Sequence, residues 1–148
     1  MTREASIGGE GCRLLISVSA YEFPDMDDRD DGNWLIGSVE LNVGRTGSFR
    51  AFHRVMPRAD ELAGFRDELR PIVETLNGEA TLRHLEEQFG CTVSLKDGKG
   101  ELTAFVAEHF GSILRVERCE TDQSYLAATL RDLDALLEEF PARGKKCP

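Results

Sequence analysis

Cys91–His109, CTVSLKDGKGELTAFVAEH, decides how this chain folds. Two strand-like runs, Cys91 to Lys96 and Glu101 to His109, are joined by Asp97-Gly98-Lys99-Gly100, and Phe110-Gly111 leads on into a third run from Ser112 to Glu120. Strands linked by such short glycine-bearing turns pair antiparallel, because a parallel neighbour needs a long crossover. Downstream the period lengthens to that of a helix. Leu126, Thr129, Leu133, Leu136 and Phe140 form one stripe, with Asp122 placed to cap its start.

The N-terminal half follows the same plan. From Cys12 to Phe23 the apolar residues alternate, with Leu14, Ile16, Val18 and Ala20 on one face and Leu15, Tyr21 and Phe23 on the other. Pro24 cannot donate to a ladder and ends that strand. A second strand is expected from Trp34 to Val43 and, after a turn at Arg45 to Gly47, a third from Phe49 to Met56. Beyond Pro57 a stripe of Leu62, Phe65, Leu69, Ile72 and Leu76 reads as a helix ended by Asn77-Gly78, with Pro71 placed to kink it. Ala80 to Phe89 is ambiguous. Strands then a helix, twice, suggest an internal pseudo-repeat and an α+β fold: a largely antiparallel sheet with two amphipathic helices on one face. Residues 12–141 are expected to form one domain, with 1–11 a disordered N-terminal tail and 142–148 a C-terminal tail.

Bulk properties narrow the function. A chain of 148 residues can bury roughly two thirds of its unfolded surface around one core. It is 41% hydrophobic and 30% charged, as globular proteins are. No apolar run is long enough to span a bilayer and no signal peptide is evident, so a cytoplasmic location is expected. Lys and Arg number 18 against 27 Asp and Glu, a net charge of -9 that opposes nucleic acid and anionic membranes and favours a basic partner. Cys12, Cys91, Cys119 and Cys147 form no C-x-x-C pair, so free thiols are expected, the first three mostly buried.

The residues that could carry chemistry are few. Asp25, Asp27, Asp28, Asp30 and Asp31 place five carboxylates in seven residues. A calcium loop with Gly32 as its turn glycine would put Arg29 in a ligand position and Ser38 in the last one, so the segment reads as an exposed acidic loop that binds no calcium tightly. His53, His84 and His109 are assigned to three different strands, with no metal-ligand spacing. No nucleophile elbow or phosphate-binding glycine loop is present, and no pair of carboxylates stands out as acid and base. Neither catalytic residues nor a cofactor are therefore assigned. Arg45, Arg50 and Arg54 form a small basic patch expected to pair with acidic neighbours. Trp34 follows the acidic loop directly. Burial is the favoured reading for a side chain that hides ~200 Å², and contact with a partner is the alternative.

Tyr21-Glu22-Phe23-Pro24-Asp25, then Asp27-Asp28 and Asp30-Asp31-Gly32-Asn33-Trp34-Leu35, fall within 15 residues. This group resembles the opening signature of the WapI-like bacterial immunity proteins: an aromatic-x-Phe-Pro step, an acidic loop and an Asp-x-Asn-Trp-Leu entry into the next strand. The later likeness is looser, with an Asp-Gln-Ser-Tyr-Leu helix start at 122–126 and a helix ending in Phe140-Pro141. The resemblance implies a non-enzymatic, cytoplasmic antidote that neutralises the toxic C-terminal domain of a contact-dependent polymorphic toxin, with Asp25, Asp27, Asp28, Asp30, Asp31 and Trp34 in the contact surface. The rival readings are a general protein-interaction domain and a small hydrolase or metal-dependent enzyme. A deep polar pocket holding a perturbed titratable group would favour the last.

Overall fold

The computed structural model describes residues 2–44, 46–51, 57–108 and 111–144. The strands are β1 (Arg3–Gly9), β2 (Cys12–Tyr21), β3 (Leu35–Val43), β4 (Gly47–Ala51), β5 (Gly78–Arg83), β6 (Phe89–Lys96), β7 (Lys99–Ala107) and β8 (Ile113–Asp122). Helix α1 (Ala59–Thr75) follows β4, and α2 (Gln123–Glu139) follows β8. Among the described residues every strand pairing is antiparallel. The fold is α+β, but the strands divide into two four-stranded meanders, β1-β2-β3-β4 and β5-β6-β7-β8, where one sheet was expected. Each half is thus four strands and a helix.

Alternation builds the core. Leu14, Ile16 and Val18 of β2, Val39 and Leu41 of β3, Val93 of β6 and Leu102, Ala104 and Val106 of β7 are all fully buried. The two sheets meet through these faces, with β3 and β4 packed on β7, and β1 against β7 and β8. At about 25 cal/mol per Å², each such leucine or isoleucine contributes roughly 1.5–3 kcal/mol. The Asp97-Gly98 turn is the tight two-residue hairpin between β6 and β7, with Asp97 at φ 53° and Gly98 at φ 84° and Lys96 paired to Lys99. It also locks the helices: Gly98 N donates to Leu76 O at 2.9 Å and Gln123 N donates to Gly98 O at 2.9 Å.

The helices lie against each other, α1 along β5 and α2 along β1. Leu62, Phe65, Leu69 and Ile72 of α1 are buried, and so are Leu126, Thr129, Leu133 and Leu136 of α2 and Phe140 just beyond it. Asp122 caps α2, its carboxylate accepting from Tyr125 N at 3.1 Å. Pro71 lies inside α1, and Leu76 closes that helix in the left-handed region at φ 67°.

Three further expectations are corrected. Residues 3–9 are not a loose tail but strand β1, paired with β2 from Arg3↔Val18 to Gly9↔Cys12. The other edge of β1 is satisfied from afar. Thr129 Oγ1 donates to Ser6 O at 2.8 Å, Asp132 Oδ2 accepts from Ser6 N at 3.1 Å, and Thr121 Oγ1 donates to Gly8 O at 3.0 Å. Gly9 makes the approach to β8 possible, since a Cβ there would lie 2.4 Å from Glu120 O.

That approach also brings Cys12 and Cys119 together. They form a disulfide with a Cα–Cα distance of 6.5 Å across 107 residues of sequence, rather than two free thiols, and so join the two sheets. Burial was read correctly: Cys12, Cys91 and Cys119 are all buried. Cys91 remains a free thiol, pushed up to about 12 by desolvation. Cys147 lies outside the described residues. The third correction concerns the C-terminal end, where Arg143 is held in place by bonds to the 23–33 region.

Candidate functional site: the acidic loop and its arginine clamps

β2 ends at Tyr21, and the chain turns at Pro24 into a loop that closes in a single 3-10 turn at Asp31–Asn33 before β3. Within it, Asp28 Oδ1 accepts from Gly32 N at 2.8 Å. Gly32 is buried, and a Cβ there would lie 2.9 Å from Met26 O, so the tight packing at this point requires glycine. Asn33 is fully buried and uses both ends of its amide: Nδ2 donates to Arg29 O at 2.7 Å and to Arg143 O at 3.1 Å, and Oδ1 accepts from Arg143 N at 2.9 Å.

Two arginines hold the loop from outside it. Arg143 Nη1 reaches three carbonyls, Phe23 O at 3.2 Å, Pro24 O at 3.0 Å and Met26 O at 2.6 Å, while its guanidinium stacks 3.5 Å from the Tyr21 ring. Burial raises the Tyr21 hydroxyl above its ordinary value, Arg143 draws it back, and the charge of Asp27 adds to the rise. Arg58, only 6% exposed, donates to Asp30 O at 3.1 Å and Arg29 O at 3.0 Å, forks onto Asp60 at 3.1 Å, and lies 4.7 Å over Trp34. Both guanidinium groups bond main-chain carbonyls of the loop and none of its carboxylates. Asp25, Asp27, Asp28, Asp30 and Asp31 are therefore left exposed, and among the described residues none of them joins an ion pair.

Trp34 is half-buried, between a core residue and a displayed one. Arg58 covers one side of the indole, and the His84 ring meets it edge-on at 6.0 Å. His84 follows β5 instead of lying within a strand. It is buried against Phe89 at 4.7 Å, with Nδ1 accepting from Gln88 N at 3.4 Å. His53 and His109 lie outside the described residues, as do Arg45 and Arg54. Arg50 pairs with Glu40 directly across the β3–β4 ladder, as expected of the basic patch. Among the described residues no group of three or more His, Cys, Asp or Glu is arranged to hold a metal ion.

Beneath the clamp, Glu61 in the first turn of α1 has a carboxyl pushed up to about 7, mainly by desolvation and then by Asp60, with Arg58 opposing. Its Oε1 is buried without a hydrogen-bond partner. Nothing in the sequence separates Glu61 from 26 other acids, and nothing marks Arg58, Asn33 and Arg143 as one assembly. The Asp-x-Asn-Trp motif was the available signal for Asn33, because an asparagine in a loop about to become a strand often bonds the backbone. No curated protein and no solved structure matches the chain significantly. One family model does match, over residues 5–141, and this chain belongs to that family, the immunity protein WapI-like family.

Proposed function

We propose that this chain is a non-enzymatic immunity protein that binds and neutralises the toxic domain of a bacterial polymorphic toxin, with Asp25, Asp27, Asp28, Asp30, Asp31 and Trp34 in the contact surface. The family match over nearly the whole chain carries the assignment. The loop supports the choice of surface. Its backbone is held by Arg58, Asn33 and Arg143, so the main chain that carries the carboxylates is ordered before a partner arrives and less backbone entropy is lost on binding. A net charge of -9 steers a basic partner, such as a nuclease domain with a phosphate-binding cleft, toward it.

The enzyme reading finds less support. Glu61 is a perturbed carboxyl, but it does not line the groove on the outer face of β5–β8. Among the described residues no helix is long and apolar enough to cross a membrane. A cytoplasmic antidote suits the role, whereas the Cys12–Cys119 disulfide is of a kind that persists in oxidising compartments.

The test is co-expression with the C-terminal domain of the adjacent gene's product, once that domain is shown to arrest growth. The proposal expects restored growth and a co-purifying complex. Growth arrest undiminished by the chain, with both proteins soluble and no complex formed, would rule it out.

A further inference from the structure

One part of the outer face of β5–β8 displays a chemistry opposite to that of the acidic loop. Thr81, Thr92 and Thr103 lie side by side across β5, β6 and β7, and the neighbouring row runs Arg83, Gly90, Phe105, Arg115 from β5 to β8. All of these but Gly90 line a groove of about 550 Å³ open to solvent. Gly90 leaves room for the Phe105 ring, since a Cβ there would lie 3.0 Å from it. Arg115 stacks 5.2 Å over that ring. Leu85, 65% exposed, and Ile113, 54% exposed, also line the groove, an unusual display of large apolar side chains. The charged side chains along it are Arg83 and Arg115 against Glu87, and among the described residues neither arginine joins an ion pair. On a chain of net charge -9 the arginine row is locally positive, while the row on the other side of the threonines, Glu79, Ser94, Glu101 and Glu120, is acidic and bounds it.

We propose that this groove docks an extended segment of a partner protein in which acidic residues alternate with apolar ones. The apolar side chains would rest on Leu85, Phe105 and Ile113, and the carboxylates would meet Arg83 and Arg115, whose planar guanidinium groups suit bidentate pairing. The threonine hydroxyls offer donors and acceptors to the segment's backbone. This goes beyond the reading of the acidic loop and does not rest on it: the two surfaces select segments of opposite charge.

The test titrates the isotope-labelled full chain with a short peptide alternating glutamate and leucine, and with its lysine–leucine counterpart, following amide shifts. Saturable shifts at Thr81, Thr92, Thr103, Phe105 and Ile113 are expected with the acidic peptide only. Arg83→Glu with Arg115→Glu should weaken binding about tenfold or more, and Ile113→Asp, at an exposed site that tolerates change, should weaken it as well. Replacing Asp27, Asp28, Asp30 and Asp31 by Asn should leave this binding no weaker, which separates the groove from the loop. Equal binding of both peptides, shifts confined to other surfaces, or indifference to the arginine reversals would overturn the proposal.

Discussion

Replacing Arg58 by lysine keeps a cation ahead of α1 but removes the fork that reaches Asp30 O, Arg29 O and both Asp60 oxygens at once. An ammonium cannot satisfy those acceptors together or lie flat on Trp34. Arg58→Lys should therefore cost about 2 kcal/mol in urea unfolding and speed amide exchange at Asp31–Asn33. Unchanged stability and exchange would show that the clamp is not what orders the loop. Glu61 makes a prediction of opposite sign. Its carboxyl stands at about 7 in the fold against an ordinary 4.5, so between those values the native state holds a proton that the unfolded chain has released. That contribution is fully present below about 4.5 and is lost as pH rises through about 7. Glu61→Gln should thus stabilise the protein above neutrality, by about 1 kcal/mol once the water still reaching the carboxyl is allowed for. It should also flatten the stability curve between about pH 5 and about pH 8, as chemical denaturation at those two values would register. A variant with an unaltered pH profile would contradict the assignment.

At the scale of elements, Thr129 is the polar member of an otherwise apolar stripe, and its hydroxyl closes the edge of β1 by donating to Ser6 O and accepting from Gly8 N at 3.4 Å. Thr129→Val preserves the shape and strands both backbone groups, so it should cost about 1–3 kcal/mol, with exchange accelerated along β1. A neutral substitution would mean that water takes over the edge. This contact also explains what could be read in the sequence. The stripes Leu62–Ile72 and Leu126–Phe140 were legible because a helix displays its own period within a few turns. The Asp97-Gly98 hairpin was legible because its turn chemistry is local. β1 was not: Arg3–Gly9 offers only Ala5 and Ile7 as buried alternating residues, and its remaining bonds come from Thr121, Thr129 and Asp132, more than a hundred residues away. The acidic loop was recognisable as an exposed charge run, while its rigidity depends on Arg58 and Arg143, which no local pattern connects to it.

Across the whole molecule, the Cys12–Cys119 disulfide ties one sheet to the other over 107 residues, a span at which loop-closure reasoning gives the larger stabilisations. Thiol titration in denaturant without reductant should find no more than two of the four cysteines reactive, and reduction should lower the melting temperature. Four reactive thiols would leave the sheets joined by packing and by the hydrogen bonds where β1 meets β8. Charge acts at the same scale. With a net charge of -9 and a pre-ordered acidic loop, the chain should capture its partner by electrostatic steering. The most direct measurement is the association rate between this chain and the product of its adjacent gene, taken over a range of salt, with and without Asn at Asp27, Asp28, Asp30 and Asp31. The loop reading predicts association slowed about tenfold at low salt and a flatter salt dependence, with folding nearly unchanged because exposed carboxylates contribute little to stability. Identical rates for the two proteins at every salt concentration would contradict it.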